Sequence, residues 1–480
     1  MTFNSYIFIF VYLPVFILGI HLIQRFFSTR DNAVVIMRLW IIAMSALFFA
    51  GYGALSIGAL FVSIIWNIIW GYLIDKKDIS LIPGVLGNVV FLCFFKYNGS
   101  IVMPVAVSFY TFQQIAFLVM LKKKEVERFG LSEYLSYILF FPKIMQGPLA
   151  DYKKITGELN SLIKKRVSAK DILVGMVLFI LGLAKKVLIS DALGLGADYG
   201  YSNIQTLTAI DAIVVALSYS LQLYFDFSGY CDMAEGICRM CGMDLEINFS
   251  SPYKARNIAE FWDRWHITLT RFFTKYVYIP LGGSRQGTVR TYFNILIVFL
   301  LSGIWHGAGF TFIIWGLMHG FMMVITRVVS PERFKNRFFT FIYVTAAWVF
   351  FRAGSAADAL TLLGKIVEPA AWSGFRISIK LAECFQLDEL WYVLKVTPIP
   401  GYSWSGYVCM WFIMILACLL VFAGKSAKEL AGGFEKRYEL AAGNGKHRGL
   451  LIIYMVLLAG LFVWCTLSLG RVSTFLYVNF

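Results

Sequence analysis

Charge is scarce in this sequence. Asp, Glu, Lys and Arg make up 15% of its 480 residues, against about 25% in an ordinary soluble domain. Hydrophobic residues make up 59%, and the mean hydropathy is +0.71. A chain so poor in polar groups cannot cover its apolar surface in water, which excludes a soluble domain. Acidic residues are the scarcer sign: 28 Asp and Glu stand against 43 Lys and Arg, a formal net charge of +15. Such a balance suits nucleic acid or anionic lipid. Here the basic residues sit in loops between apolar runs. The chain therefore reads as a polytopic membrane protein whose cytoplasmic loops face the lipid bilayer's headgroups, with no nucleic-acid partner.

A disulfide framework is also missing. Most of the eight cysteines (Cys93, Cys231, Cys238, Cys241, Cys384, Cys409, Cys418 and Cys465) lie inside apolar runs. Cys238-Arg-Met-Cys241 has CxxC spacing and, with Cys231 nearby, allows a metal or redox site. No second CxxC or histidine pair follows at zinc spacing, so small buried thiols and no metal are the reading. The N-terminus lacks the basic stretch and small-residue cleavage site of a secretory signal, so the apolar run 7–20 is kept as a span.

What is present is a series of apolar runs near the 20 residues a span needs. They lie at roughly 5–24, 34–51, 55–74, 80–96, 103–121, 172–191, 208–228, 291–306, 310–328, 338–352, 404–424 and 449–469. The pieces near 134–148 and 259–281 read as re-entrant or interfacial, and 425–448 as a charged, solvated loop. The segment 353–403 reads as a mixed loop with a short helical piece, Ala356 to Ile366. The expected fold is an all-α polytopic membrane protein of about a dozen spans, one membrane domain over 1–480 with its motifs at 103–352 and C-terminal spans at 404–480. Arg25 and Arg30, Lys76 and Lys77, and Lys122 to Lys124 mark alternate loops, which puts the N-terminus outside.

Three polar interruptions stand out. Ser108-Phe109-Tyr110-Thr111-Phe112-Gln113-Gln114 places polar side chains in a span, either facing a cavity or bonding neighbouring helices. Pro142 and Pro148 break the run around Gly147, and broken backbone at membrane depth survives only under cover of protein or beside a water-filled cavity. Asp226, Asp232 and Glu235 end an apolar span. Asp226 and Asp232 could orient a histidine or bind a cation; the other reading is a helix end returning to the surface, which Asp232 and Glu235 fit well and Asp226, flanked by two phenylalanines, fits poorly.

Two histidines follow tryptophans, in Arg264-Trp265-His266 and Trp305-His306-Gly307. As one helix, 258–275 would put Trp262, Trp265, His266, Leu269, Thr270 and Phe273 on a shared inward face, and Arg264, Arg271 and Lys275 elsewhere. His266 is then either a satisfied core histidine or a functional one. His306 closes the apolar run from Tyr292, with Ser302 one turn back and Gly303, Gly307 and Gly309 slimming the backbone for close substrate approach. A neutral imidazole there suits general-base removal of a hydroxyl proton during attack on a thioester. Ser302 as a nucleophile lacks a Gly-x-Ser-x-Gly elbow. His319, 13 residues on, would lie about 220° round an unbroken helix and about 20 Å away, facing elsewhere.

Together with Tyr278-Ile279-Pro280-Leu281-Gly282-Gly283 and Trp348-Val349-Phe350-Phe351-Arg352, these pieces resemble the membrane-bound O-acyltransferases, in family order across most of the chain. The likeness is to the bacterial alginate O-acetyltransferase type more than to the teichoic-acid D-alanylation branch. The resemblance implies helices around a central funnel, with His306 as the catalytic histidine and His266 as the second conserved polar position. Trp305, Ser302, Asp226, Trp265, Tyr110, Gln113, Pro142 and Gly147 are the residues expected to line that funnel. It further implies a bacterial cytoplasmic membrane, no bound cofactor, acetyl-CoA or another acyl thioester as donor, and a polysaccharide acceptor. The chain has no outer segment large enough to hold a polymer, so a separate extracytoplasmic acetyltransferase is expected as partner. Lys143 and Gln146 depart from the family pattern by placing a charge and an amide in the Phe-Pro to Gly-Pro loop. A D-alanyl transferase and a transporter remain the alternatives.

Overall fold

The computed structural model describes the chain except residues 166, 330–334, 369–371, 373–375, 386–403, 442–444, 472, 474 and 477–480. The described residues are helical, without strands. Most of 353–403 beyond the helix Ala356–Val367, and the last four residues, lie outside the described set.

The spans form because long apolar runs are bounded by residues that stop helices. The helix Ala54–Lys77 starts after Gly53 at φ 87°, and ends on Lys76 and Lys77 with Asp78 left-handed. Its 24 residues reach about 36 Å, enough for the ~30 Å hydrocarbon core, and the two lysines suit the negative end of the helix dipole. Nine described helices are long and apolar enough to cross a membrane. Three expected spans fall short: Ile82–Tyr97, Val107–Lys122 and Arg337–Arg352 have 16 residues each, about 24 Å of helix. The nine differ in what they face. His447–Gly470 is the most apolar and only 11% buried, so its surface suits lipid; Ala209–Met240 is the least apolar and 83% buried, so its polar side chains face protein.

Three expectations need correction. The acidic stretch from Asp226 to Glu235 is not a span's end, because the helix Ala209–Met240 runs through it. The segment 425–448 holds a helix, Ala427–Ala441, whose Ala427, Ala431 and Phe434 pack on Val174, Val177 and Leu178 while its charged face pairs Lys428 with Glu235 and Glu439 with Lys170. The stretch 258–275 is two short helices, Ile258–Arg264 and Ile267–Phe273, broken at Trp265 and His266.

Two compact units emerge, each assembled from distant segments: Met1–Leu183 with Tyr230–Asn248 and Ala427–Phe480, and Ala184–Gly229 with Phe249–Ser426. In the first, Phe141 is boxed by Phe3, Phe8, Tyr12, Phe16 and Phe48, with ring centroids 4.8 to 6.1 Å away. A buried amide network joins three helices there: Ser63 and Asn67 donate to Gln114 Oε1 at 2.6 and 2.7 Å, and Asn67 and Asn88 exchange hydrogen bonds at 2.9 Å.

The second unit is built on a hairpin of Thr288–His306 and Phe310–Val329. A Cβ on Gly303 would lie 2.4 Å from the Phe312 carbonyl oxygen, and one on Gly316 would lie 2.4 Å from that of Phe299. Small residues therefore let the two backbones touch, as between membrane helices generally. Gly307 is covered in the same way, since the Phe312 ring fills the space a Cβ would take. Gly303 and Gly307 thus serve helix packing rather than substrate approach. Gly316→Ala is expected to destabilise by about 1–3 kcal/mol through overpacking, read as a lower thermal midpoint in detergent. An unchanged midpoint would mean the hairpin has slack at this contact.

Candidate active site

His306 is the last residue of its helix, and the chain turns at Gly307 to start the return helix at Phe310. Its imidazole is 4% exposed. The rings of Trp305, Trp315 and Phe351 surround it at 4.6, 5.0 and 5.1 Å, all edge-to-face. Such contacts fix a ring's orientation, which a base must hold to meet one particular proton. Ser302, one turn back, lines a cavity of about 250 Å³ with Trp262, Asp263, Leu269, Thr270, Phe273, Tyr278, Phe299 and Arg327 among its walls. Neither His306 nor His266 is among the described residues that line it.

His319 does not face elsewhere. The helix breaks after His306, so the return helix brings Trp315 onto His306 and sets His319 one turn further, edge-to-face with Trp315 at 5.2 Å. Trp262 lies edge-to-face with His319 at 5.0 Å. His319 is fully buried, and neither ring nitrogen has a hydrogen-bond partner among the described residues. The indole N–H groups of Trp262 and Trp315 share that condition. Unspent polar atoms this deep are rare, and here they gather at His319 and at Trp315, which also packs on His306. The intervening spacing hid this cluster, because angular arithmetic holds only along an unbroken helix.

His266 sits at the break between the two short helices, with φ 44° and ψ 50°. A non-glycine residue in the left-handed region is strained, and strain of this kind collects at functional sites. The imidazole packs edge-on against Phe227 at 4.8 Å. Burial lowers its pKa to about 3, so it is neutral at physiological pH. Trp265 beside it joins the same aromatic wall: its ring lies 5.0 Å from Trp348, which stacks on Trp315 at 5.5 Å. His266 and His306 thus border one tryptophan cluster.

Asp226, also in this unit, is fully buried and accepts from Lys186 Nζ at 2.7 Å, while Asp191 lies 2.8 Å from the same ammonium. Lys186 belongs to a π-helical turn, Lys185–Ser190, inside the long helix Ala169–Ser202. Asp226 therefore holds a buried lysine. Sequence reading missed this lysine, although a charge inside an apolar run was the signal that could have found it.

Tyr110, Gln113, Pro142 and Gly147 belong to the other unit. Pro142 opens the short helix Phe141–Ile144, and its carbonyl accepts from Tyr230 Oη at 3.3 Å. Gly147 donates its N–H to the Lys143 carbonyl at 3.1 Å, and a Cβ there would meet Lys143 Cα at 2.3 Å. That tight coil buries Lys143 completely, with its ammonium donating to Gln113 Oε1 over the face of Tyr137. On the 108–114 face both glutamines bond neighbouring helices: Gln114 accepts from Ser63 and Asn67, and Gln113 accepts from Lys143. Among the described residues no three His, Cys, Asp or Glu side chains gather as a metal site would need.

The sequence has relatives among known proteins. The membrane-bound O-acyltransferase family model matches residues 120–356. A peptidoglycan O-acetyltransferase of Helicobacter pylori is 37% identical over 424 residues, covering 76% of this chain and 80% of that protein. A probable alginate O-acetylase, AlgI, of Pseudomonas aeruginosa is 33% identical, covering 78% and 76%. A teichoic acid D-alanyltransferase of Streptococcus thermophilus is 28% identical, covering 66% and 81%. Shared so extensively with acyltransferases, the sequence is that of a multi-pass membrane enzyme rather than a transporter, and the chain belongs to the membrane-bound O-acyltransferase family.

Proposed function

We propose that this enzyme takes acetyl groups from a cytoplasmic thioester, acetyl-CoA or an acetylated carrier, and delivers them across a bacterial cytoplasmic membrane for O-acetylation of a cell-wall or extracellular polysaccharide. The observation that carries the reading is His306, held edge-on by three aromatic rings at a hairpin end, with Ser302 one turn back opening onto a cavity of about 250 Å³. The names of the relatives, a peptidoglycan O-acetyltransferase and alginate O-acetylases, support acetyl as the group and polysaccharide as the acceptor.

In this reading the His306 imidazole accepts the proton of an attacking hydroxyl. The hydroxyl oxygen bonds to the thioester carbonyl carbon, the C–S bond breaks, and the thiolate leaves and is protonated. Trp315 and Trp262 have indole N–H groups to spare for oxygens that gain charge on the way. His266, neutral and strained, acts as a positioning residue. The hydroxyl belongs to the polymer, to a small relay, or to an extracytoplasmic acetyltransferase that receives the group and modifies the polymer.

A D-alanyl donor is the second reading, favoured by the D-alanyltransferase relative. Purified protein offered acetyl-CoA or a D-alanyl carrier thioester separates the two. Release of free CoA that depends on an acceptor hydroxyl is expected; consumption of the D-alanyl thioester alone would replace the acetyl reading.

The proposed orientation has the N-terminus outside. A cysteine at Ser5 should react with an impermeant maleimide on intact cells, and one at Lys77 only after permeabilisation. The reverse labelling would invert the direction of transfer.

A further inference from the structure

We propose that Lys143, Gln113 and Tyr110 form a buried binding site for an oxyanion, a carboxylate or phosphate carried by one of the enzyme's substrates. Three observations converge. The first is charge. The Lys143 ammonium is completely buried, and its contacts are the Gln113 amide oxygen and the Tyr137 ring. It forms no ion pair among the described residues. A buried cation without a counter-charge is costly, and proteins keep one chiefly where a ligand completes it.

The second is a surplus of donors. An ammonium has three N–H bonds and no acceptor capacity. Because Lys143 takes the Gln113 carbonyl oxygen, the amide NH₂ is left to donate, and it has no acceptor among the described residues. Tyr110 stands one turn before Gln113 on the same helix, at the i, i+3 spacing that puts side chains on one face. Its hydroxyl is buried and also without a partner among the described residues. The ammonium, the amide NH₂ and the hydroxyl therefore all have N–H or O–H donors to spare, and an oxyanion supplies the lone pairs and negative charge that would accept them.

The third is the backbone. Phe140 has extended rather than helical backbone at φ −51°, ψ 101°, and the coil from Lys143 to Gly147 follows a helix of only four residues. Irregular backbone in a membrane protein is tolerated where it is covered by protein or borders a ligand's route. The carbonyls of Pro142 and Gln146 are anchored by Tyr230 Oη and Cys231 Sγ, which holds the coil still.

The oxyanion has two possible sources: phosphate on the acyl donor or carboxylate on an acidic polymer acceptor. The test is binding to the full-length protein in lipid nanodiscs, using two matched pairs: coenzyme A against pantetheine, and a uronate oligosaccharide against a neutral chitin oligosaccharide. The wild type is expected to bind the charged member of one pair about tenfold or more tightly than the neutral one, and that pair identifies the source. Lys143→Met should abolish the preference and Lys143→Arg should keep most of it. Gln113→Glu supplies an internal carboxylate, so it should raise the thermal midpoint of the empty protein and remove the preference. If Lys143→Met does not fold, Gln113→Glu decides alone. No preference in the wild type, or a preference that survives in Gln113→Glu, would overturn the proposal and leave Lys143 a structural strut. The acyl-transfer reading supplies only the choice of probes. Because no turnover is needed, a wild type that discriminates but transfers nothing would reject that reading and keep this one.

Discussion

His306→Ala is expected to stay in the membrane at near-normal abundance while polymer acylation falls by about 10²–10⁴-fold, the usual loss when a general base is removed. The effect is large because the proton must leave the hydroxyl as the C–O bond forms, and Ser302, the polar side chain one turn back, is far too weakly basic to take it. Two of the three rings around the imidazole, Trp315 and Phe351, also pack on each other 5.1 Å apart, so much of the cage persists without its centre. His306→Gln keeps volume and a hydrogen-bonding edge without the basicity, and should be as inactive. Normal acylation by either variant, at wild-type abundance in an immunoblot, would remove His306 from the chemistry. His266→Ala should be milder, because a positioning group lowers the rate without carrying the proton.

The second large effect is on stability. Lys186→Met would leave Asp226 and Asp191 without the ammonium they share at 2.7 and 2.8 Å. Removing one partner of a buried ion pair costs about 3–5 kcal/mol, a large share of the 5–15 kcal/mol that a folded domain holds. Little Lys186→Met or Asp226→Leu protein should survive extraction as a monodisperse peak. The double variant Lys186→Met/Asp226→Leu removes the fully buried charges but still leaves Asp191, which is 13% exposed, without its ammonium, so it should recover part of the loss and be more stable than either single variant. Two stable single variants, or a double variant as poor as the sum of its parts, would show that the pair is not held as a unit.

These two results concern residues that were unequally legible. His306 stands out in the sequence because a histidine ending an apolar run has few structural excuses, and the helix ends there as the run does. The spans were legible for the same reason: apolar length and bounding Gly, Pro and charged residues are local. Failures came where tertiary contacts override local pattern. The 3.6-residue period of 258–275 is real, and Trp262, Trp265, His266, Leu269 and Phe273 are all buried, yet the chain breaks at His266 to seat that face. Asp226 and Lys186 are 40 residues apart, so each looked like an isolated oddity, or no oddity at all, until the fold paired them. Lys143 read as a charge in a loop; only the coil closed by Gly147 shows that it is buried.

The most direct test of acetyl transfer through His306 is a proteoliposome experiment. Purified protein is reconstituted with radiolabelled acetyl thioester sealed inside and polysaccharide outside, with and without a purified extracytoplasmic acetyltransferase. Label is expected on the outer polymer only when wild-type protein and the partner are both present, with none for His306→Ala. Equal export of label by wild type and His306→Ala, or intact thioester after prolonged incubation of the complete wild-type system, would contradict it.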